Sequence, residues 1–411
     1  MSAPDVDLLI VGGGLASQRC CETLRRGGFE GSITMICGEP SRPYDRPPLS
    51  KAVLLGEEPQ RGLEFRAEDW YAEKAVRLEL GATAAALDPA SHTVMLERAG
   101  RAAGRLRYRR LLIATGARPR SLPGLVPGGR LHELRTRADA DSLQRAMRER
   151  GGRLAVIGAG LVGMEVASAA RKLGLQVTLL EAATTPLERA LPPLLGSWIA
   201  DLHRANDIDV RLGRTVGEAH ESDSGVSLLL SDGETLEAQT VLVAAGTTPA
   251  TEWLAGSGLG PRAIETDREG RTGIPDVFAA GDVASFPDPF LGERLPSQHW
   301  EAAARQGAAV AHGILGTDPP APVPAMFWSD QHGRRIQMVG HAPENCSIAI
   351  DGSLSKGEPF AAWISGPAGP AAVMLVDRPD LLPGARRWVA DGQLSHDPIP
   401  TSTQGAAPCP T

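Results

Sequence analysis

The stretch RLAVIGAGLVGMEVASAARKLGLQVTLLEAA, residues 153–183, decides how this chain folds. Four apolar residues, 154–157, run into Gly158, Gly160 and Gly163, spaced G-x-G-x-x-G. A helical pattern follows from Leu161 through Val162 to Leu173, and Gly174 caps it. A second strand, 176–180, then stops at Glu181. Strand, glycine turn, helix, strand and acid in that order make up the fingerprint of a dinucleotide-binding βαβ unit. The first glycine permits the tight turn, the second lets the backbone approach a pyrophosphate, and the third lets helix and strand pack closely. The phosphate charge then meets the helix N-terminus. Glu181 stands where a ribose-binding acid is expected, and its carboxylate should repel a 2′-phosphate. NADH is therefore favoured over NADPH, and Arg189 is the residue that could reverse the preference.

A second unit of the same kind opens the chain. DLLIVGGGLAS, residues 7–17, carries an apolar strand into Gly12 and Gly14. Leu15 and Ala16 begin a helix that runs to about Arg26, and Ser17 stands at the third glycine position. The strand SITMICGE ends in Glu39, placed to accept from a ribose. One such fingerprint is weak; two in register read as two dinucleotides in one chain, one FAD and one NAD(H). Three other segments fit. RRLLIATGARPRSLPG (109–124) ends a strand in Ala114, Thr115 and Gly116. TVLVAAGTTPATEWL (240–254) repeats the shape around Gly246, and IPDVFAAGDVASFP (274–287) sets Gly281 and Asp282 at a strand end. An aspartate there suits a sugar-like hydroxyl chain, although each segment taken alone also reads as an ordinary β-turn.

Composition sets the bounds. At 411 residues the chain is too long for one ordinary core, so two or three domains are expected. Hydrophobic residues at 42% and charged residues at 22% fit a soluble globular protein. A net charge of −7 argues against nonspecific nucleic-acid binding. No apolar run is long enough for a transmembrane helix, and the start of the sequence has no signal-peptide pattern. A cytoplasmic protein without membrane or nucleic-acid partners is the expectation. Cys20, Cys21, Cys37, Cys346 and Cys409 are odd in number and irregular in spacing. They read as small buried thiols, with neither a disulfide framework nor a metal site.

With these motifs in place, the chain resembles the FAD-dependent pyridine-nucleotide oxidoreductase superfamily. Within it, the chain is similar to the NADH:ferredoxin reductases of bacterial oxygenase systems, the putidaredoxin, rubredoxin and biphenyl-dioxygenase ferredoxin reductases. The resemblance rests on EPSRPYDRPPLSK (39–51), LRT (134–136), the G-x-G-x-x-G-x-E of 158–165, AAGD (279–282), HWEAAARQG (299–307) and MFWSDQHGRRIQMVG (326–340). It implies an α/β fold with two Rossmann-like FAD- and NAD(P)-binding domains, glutathione-reductase-like, plus a small α+β C-terminal domain. Residues 1–115 and 246–318 would form a discontinuous FAD domain, 116–245 the NAD(H) domain, and 319–411 the C-terminal domain with a mobile tail.

The same resemblance implies roles. Arg46 and Pro47 would line the flavin side of the FAD site, and Lys51 would sit beside the flavin N5 edge, paired with Glu165. Arg135 would reach the FAD pyrophosphate or adenosine, and Ala84 the adenine. Ala114 and Thr115 would pass close to FAD by backbone, and Asp282 would bind the ribityl chain. Trp300, next to His299, would contact the flavin pyrimidine, and Trp328 would lie where electrons leave. Read without the resemblance, Glu165 is an ordinary first-turn acid, Trp328 a core aromatic, and His299 and His332 structural histidines. The implied activity is electron transfer from NADH through FAD to a ferredoxin-type acceptor, by a monomer or homodimer. Arg334, Arg335, Arg386 and Arg387 are candidate docking cations, or plain surface charges. Two other readings compete: an NADH oxidase or small-molecule flavin reductase, and a non-enzymatic redox sensor. A disulfide reductase is disfavoured, because the region close after the first βαβ unit holds no redox cysteine and Cys37 sits inside a strand.

Overall fold

The structure is a computed structural model that describes residues 5–57, 62–296, 298–355 and 357–392, together with the short strand Ala407–Pro408. The tail expected to be mobile, with Cys409, otherwise lies outside the described residues. The chain divides into two compact units. One comprises residues 1–45, 61–118 and 247–322; the other comprises 46–60, 119–246 and 323–411.

The first unit is built on the strand Val6–Val11, in which Leu8, Leu9 and Ile10 are fully buried. A near-continuous apolar run is what a strand covered on both faces requires. It pairs in parallel with Ile33–Cys37 on one side and Arg101–Ile113 on the other. Val76–Leu80 extends the parallel sheet beyond Ile33–Cys37, and Val277–Ala279 adds to Arg101–Ile113. The long Arg101–Ile113 strand also pairs antiparallel with Thr93–Arg98, which pairs with Thr83–Asp88, the strand of Ala84. The helix Leu15–Arg26 starts where the sequence places it and packs against Trp300–Leu315. Gly307 makes that crossing possible, since a Cβ there would lie 2.1 Å from the Ala16 carbonyl oxygen.

In the second unit, five parallel strands stand in the order Ile208–Leu212, Gln176–Glu181, Arg153–Ile157, Thr240–Val243 and Leu131–His132. The helix Leu161–Lys172 follows Arg153–Ile157, as the glycine pattern predicts. The helix Arg137–Arg150 is set by a capping box: Asp139 N–H donates to Thr136 Oγ1, and the Asp139 carboxylate accepts from the N–H of Thr136. Such a cap is worth about 1 kcal/mol. The same carboxylate accepts from the N–H of Arg135, so the LRT motif is a helix start.

The C-terminal part of this unit is an antiparallel sheet ordered Met326–Gln331, Arg334–Gly340, Gly369–Val376, Phe360–Gly366, Ser347–Gly352, with the helix Leu382–Asp391 against it. Along Met326–Gln331 burial alternates, so Phe327, Ser329 and Gln331 face inward. Two of those three inward side chains are polar, and both prove to be hydrogen-bonded.

Candidate functional site

The two glycine loops share one stereochemical plan. Gly12 has φ +121°, and a Cβ on it would lie 2.0 Å from the Ala114 carbonyl oxygen. Gly158 has φ +110°, with the Ala244 oxygen 2.4 Å from the same imagined atom. Neither position tolerates a side chain. At Gly14 and Gly160, by contrast, a Cβ would meet no described atom within 4 Å. The open glycine also precedes the helix in both cases, and neither helix N-terminus has a side-chain cap or an acid in its first turn. N–H groups left without a cap beside an open glycine fit a dinucleotide pyrophosphate. At the third position the loops differ. A Cβ on Gly163 would lie 2.1 Å from the Gly158 oxygen. Ser17 replaces that close packing with a bond, its buried hydroxyl donating to the Gly12 carbonyl at 2.6 Å.

Around the first loop, Tyr44 Oη donates to Glu39 Oε2 at 2.6 Å. The strand ahead of Glu39 ends at Cys37, two residues earlier than the sequence suggests. Trp300 Nε1 donates to Asp45 Oδ1 at 2.6 Å, and Thr115 Oγ1 to the Ala250 carbonyl at 2.8 Å. Gly281 has φ +80° and donates its N–H to the buried Gln306 Oε1 at 2.8 Å. Gln306 therefore fixes the turn that carries Asp282. Together with Gly307 it explains why HWEAAARQG ends as it does, a role that sequence reading missed.

Around the second loop, Glu181 Oε2 accepts from Ala159 N–H at 2.6 Å and Oε1 from Ala183 N–H at 2.9 Å. The acid thus holds both the glycine turn and its own following turn. Val162 is exposed on the first turn of the helix, Arg189 is exposed, and Gly246 has φ +97°.

PYDRPPLSK divides at its middle, with Asp45 the last residue of its segment in the first unit and Arg46 the first of the next in the second. Pro47–Ser50 forms a 3₁₀ turn and Ala52–Leu55 a single helical turn, ended by Gly56 at φ +75°. Arg46 donates to the Arg135 carbonyl. Lys51 Nζ meets Glu165 Oε2 at 2.7 Å and the Pro47 carbonyl at 3.2 Å. Glu165 is 5% exposed and lies beyond the first turn of Leu161–Lys172, so it is not the ordinary first-turn acid of the bare sequence reading. Ser50 Oγ donates to Glu165 Oε2 at 2.5 Å, and Ser329 Oγ to Oε1 at 2.6 Å. A buried carboxylate needs that full set of partners.

Behind Ser329 the bonds continue. Gln331 Nε2 donates to Ser329 Oγ at 2.9 Å, Gln331 Oε1 meets His203 Nε2 at 2.9 Å, and His203 Nδ1 meets His332 Nε2 at 3.1 Å. His332, at φ +50°, also takes Ser168 Oγ as acceptor for its N–H. Burial pushes His203 down to about 4, against the pull of the Gln331 bond. Burial, then the nearby His203 and Arg171, push His332 down to about 4. Both are therefore neutral in the folded protein at neutral pH. Between pH 6.5 and 4 the unfolded chain takes up protons that the folded one does not, so stability falls as pH falls. His203 alone should cost about 2 kcal/mol at pH 5 relative to pH 8. Urea denaturation across that range, with His203→Gln as the flatter comparison, checks it.

The other expectations are reshaped. Arg334 is bound to Asp377, and Arg335 reaches Asp330 while its guanidinium lies 5.7 Å from the Trp328 ring centroid. Of the four docking cations proposed from sequence, these two already face carboxylates. Cys20, Cys21 and Cys37 are buried, and burial pushes Cys21 and Cys37 up to about 12; Cys346 is only half-buried. Among the described residues, no cluster of His, Cys, Asp and Glu is suited to a metal, and no helix is long and apolar enough to cross a membrane.

Residues 6–307 match the family described as pyridine nucleotide-disulphide oxidoreductase, and residues 326–399 match the reductase C-terminal family. The chain is 35% identical to the p-cumate 2,3-dioxygenase system ferredoxin–NAD(+) reductase component of Pseudomonas putida, over 95% of this chain and 94% of that one. It is 36% identical to the biphenyl dioxygenase system ferredoxin–NAD(+) reductase component of Paraburkholderia xenovorans, over 86% and 85%. The fold superposes on the covalent putidaredoxin reductase–putidaredoxin complex with a TM-score of 0.87 and 31% identity, covering 95% of this chain and 94% of that one.

Proposed function

The chain belongs to the pyridine nucleotide-disulphide oxidoreductase family, and from that footing we propose that it passes electrons from NADH through FAD to a small iron–sulfur ferredoxin, or a rubredoxin, that feeds an oxygenase. The carrying observation is the pair of glycine cradles, one in each unit, each with an open glycine ahead of an uncapped helix. The relatives named for ferredoxin–NAD(+) reduction align over 95% and 86% of this chain. Bound FAD supplies the conversion of a hydride into single electrons.

The protein's part is to hold and to bias. In this reading Gly12, Gly14 and the N-terminus of Leu15–Arg26 hold the FAD pyrophosphate, with Glu39 and Asp282 on its sugar and ribityl hydroxyls. Gly158, Gly160, Gly163 and Glu181 hold NADH. Arg135 and Ala84 serve the adenosine end, and Trp300 the flavin. Lys51 supplies a cation that favours negative charge on the reduced cofactor, and Glu165 keeps that cation in place. The thiols of Cys21 and Cys37 do not ionise near neutrality, which leaves them poor candidates for a dithiol relay. In this reading the protein works in the cytoplasm, drawing on the NADH there.

Anaerobic titration with NADH, followed by mixing with a [2Fe–2S] ferredoxin, tests the reading. Stoichiometric bleaching of the flavin and then one-electron reduction of the ferredoxin is expected. Rapid reoxidation by air with no transfer to any ferredoxin would instead make the protein an oxidase.

A further inference from the structure

The buried bonds behind Glu165 have a direction that can be worked out from one end. A carboxylate only accepts, so the single hydroxyl proton of Ser329 must point at Glu165 Oε1, 2.6 Å away. Ser329 Oγ is then left to accept, which turns the NH₂ of Gln331 toward it at 2.9 Å. The Gln331 oxygen therefore faces His203, whose Nε2 must carry the proton across 2.9 Å. The Nδ1 of neutral His203 can then only accept, and His332 must donate from Nε2 across 3.1 Å. One ionised side chain thus fixes the amide orientation and both imidazole tautomers. Ser329, Gln331 and His203 are all buried, with His203 and Ser329 fully so.

We propose that Ser329, Gln331, His203 and His332 are positioning residues that hold the Glu165 carboxylate in register for Lys51. The array acts through the ion pair, so its effect on the reaction rests on the role proposed for Lys51. It is not a proton conduit: the Gln331 amide, donating from nitrogen and accepting at oxygen, would have to pass through an iminol to relay a proton. What the array supplies is a run of aligned donors, all aimed at the anion. Hydrogen bonds in such a chain polarise one another, and a buried network of this kind is rigid only when every member is satisfied. Among the described residues, the groups recorded against the histidine pair are Gln331, Ser168, which accepts from the His332 backbone N–H, and the guanidinium of Arg171, with no acid among them.

The test begins with the unmodified holoprotein labelled with ¹⁵N-histidine. His203→Gln and His332→Phe assign the two signals among the nine histidines. Both rings are expected as the Nε2–H tautomer at pH 7.5; an Nδ1–H tautomer at His203 overturns the proposal. Gln331→Met keeps the volume and removes both bonds. It should lose the fixed His203 tautomer signal and slow flavin reduction at saturating NADH about tenfold, with the dissociation constant for NADH unchanged. A Gln331→Met protein that is less stable but reduces its flavin at the native rate would mark the array as structural only. If Gln331→Met does not fold, Ser329→Ala is read in the same way. Because the tautomers are read without turnover, they stand even if Lys51→Met leaves flavin reduction unchanged. That combination would sink the role of Lys51 and leave the array as a support for Glu165 alone.

Discussion

Lys51→Met is expected to slow reduction of the bound flavin by NADH by about 10²–10³-fold in anaerobic stopped-flow absorbance, the usual loss when one preorganised charge is removed from a reacting centre. Methionine keeps the length and the apolar stem, so the change is chiefly one of charge. It leaves Glu165 5% exposed with Ser50 and Ser329 as donors but without its cation. Stranding one member of a buried pair costs about 3–5 kcal/mol, and the low end applies because the Lys51 side chain is 21% exposed. Slow reduction and poor folding must therefore be told apart. The double variant Lys51→Met/Glu165→Gln does so: with no stranded charge it should regain most of the stability, yet reduce its flavin as slowly as Lys51→Met. Native reduction rates in the well-folded double variant would mean that the pair ties one turn to one helix and does nothing for the cofactor.

The difference between the two kinds of partner around Glu165 shows what the sequence made legible. Gly12, Gly14, Gly158, Gly160 and Gly163 could be read directly, because a glycine turn is a constraint within a few residues of chain. The helix Leu15–Arg26 and its counterpart Leu161–Lys172 followed from the same local rule. The Lys51–Glu165 pair spans 114 positions and was reached only through the family resemblance, not through spacing. Ser329 and Gln331 were passed over, since their partners Glu165 and His203 lie 164 and 128 positions away. A signal was nevertheless present. MFWSDQ alternates as a strand, and the face that carries Phe327 also carries Ser329 and Gln331, so two polar side chains on a core-facing stripe called for buried partners.

Other misses have the same origin. Ser17 read only as the occupant of the third glycine position, because the pattern does not show the hydroxyl's 2.6 Å bond to Gly12. Gln306 and Gly307 were quoted within a motif but given no role. Their partners, Gly281 and Ala16, are brought to them only by the packing of Trp300–Leu315 on Leu15–Arg26. The docking cations show the same limit: a count of arginines does not see that Asp377 and Asp330 already face Arg334 and Arg335, two of the four.

Nucleotide choice should show the second large effect, with kcat/KM for NADPH about 10²–10³-fold below that for NADH. A phosphate charge about 4 Å from a carboxylate is repelled by about 4 kcal/mol at an effective dielectric of 20, which matches the upper end of that ratio. Glu181 is well fixed to exert this repulsion, held by Ala159 N–H at 2.6 Å and Ala183 N–H at 2.9 Å. The same bonds make Glu181→Ala a poor test, because it removes the charge and releases the glycine turn together. Glu181→Gln removes the charge but keeps one acceptor. It should raise NADPH use about tenfold while lowering NADH use by no more than that, narrowing the gap from both sides. Arg189 is the cation that the sequence reading sets against this ordering, and it is exposed. If the native protein used both nucleotides equally, and Arg189→Ala selectively abolished NADPH use, Arg189 rather than Glu181 would set the selectivity.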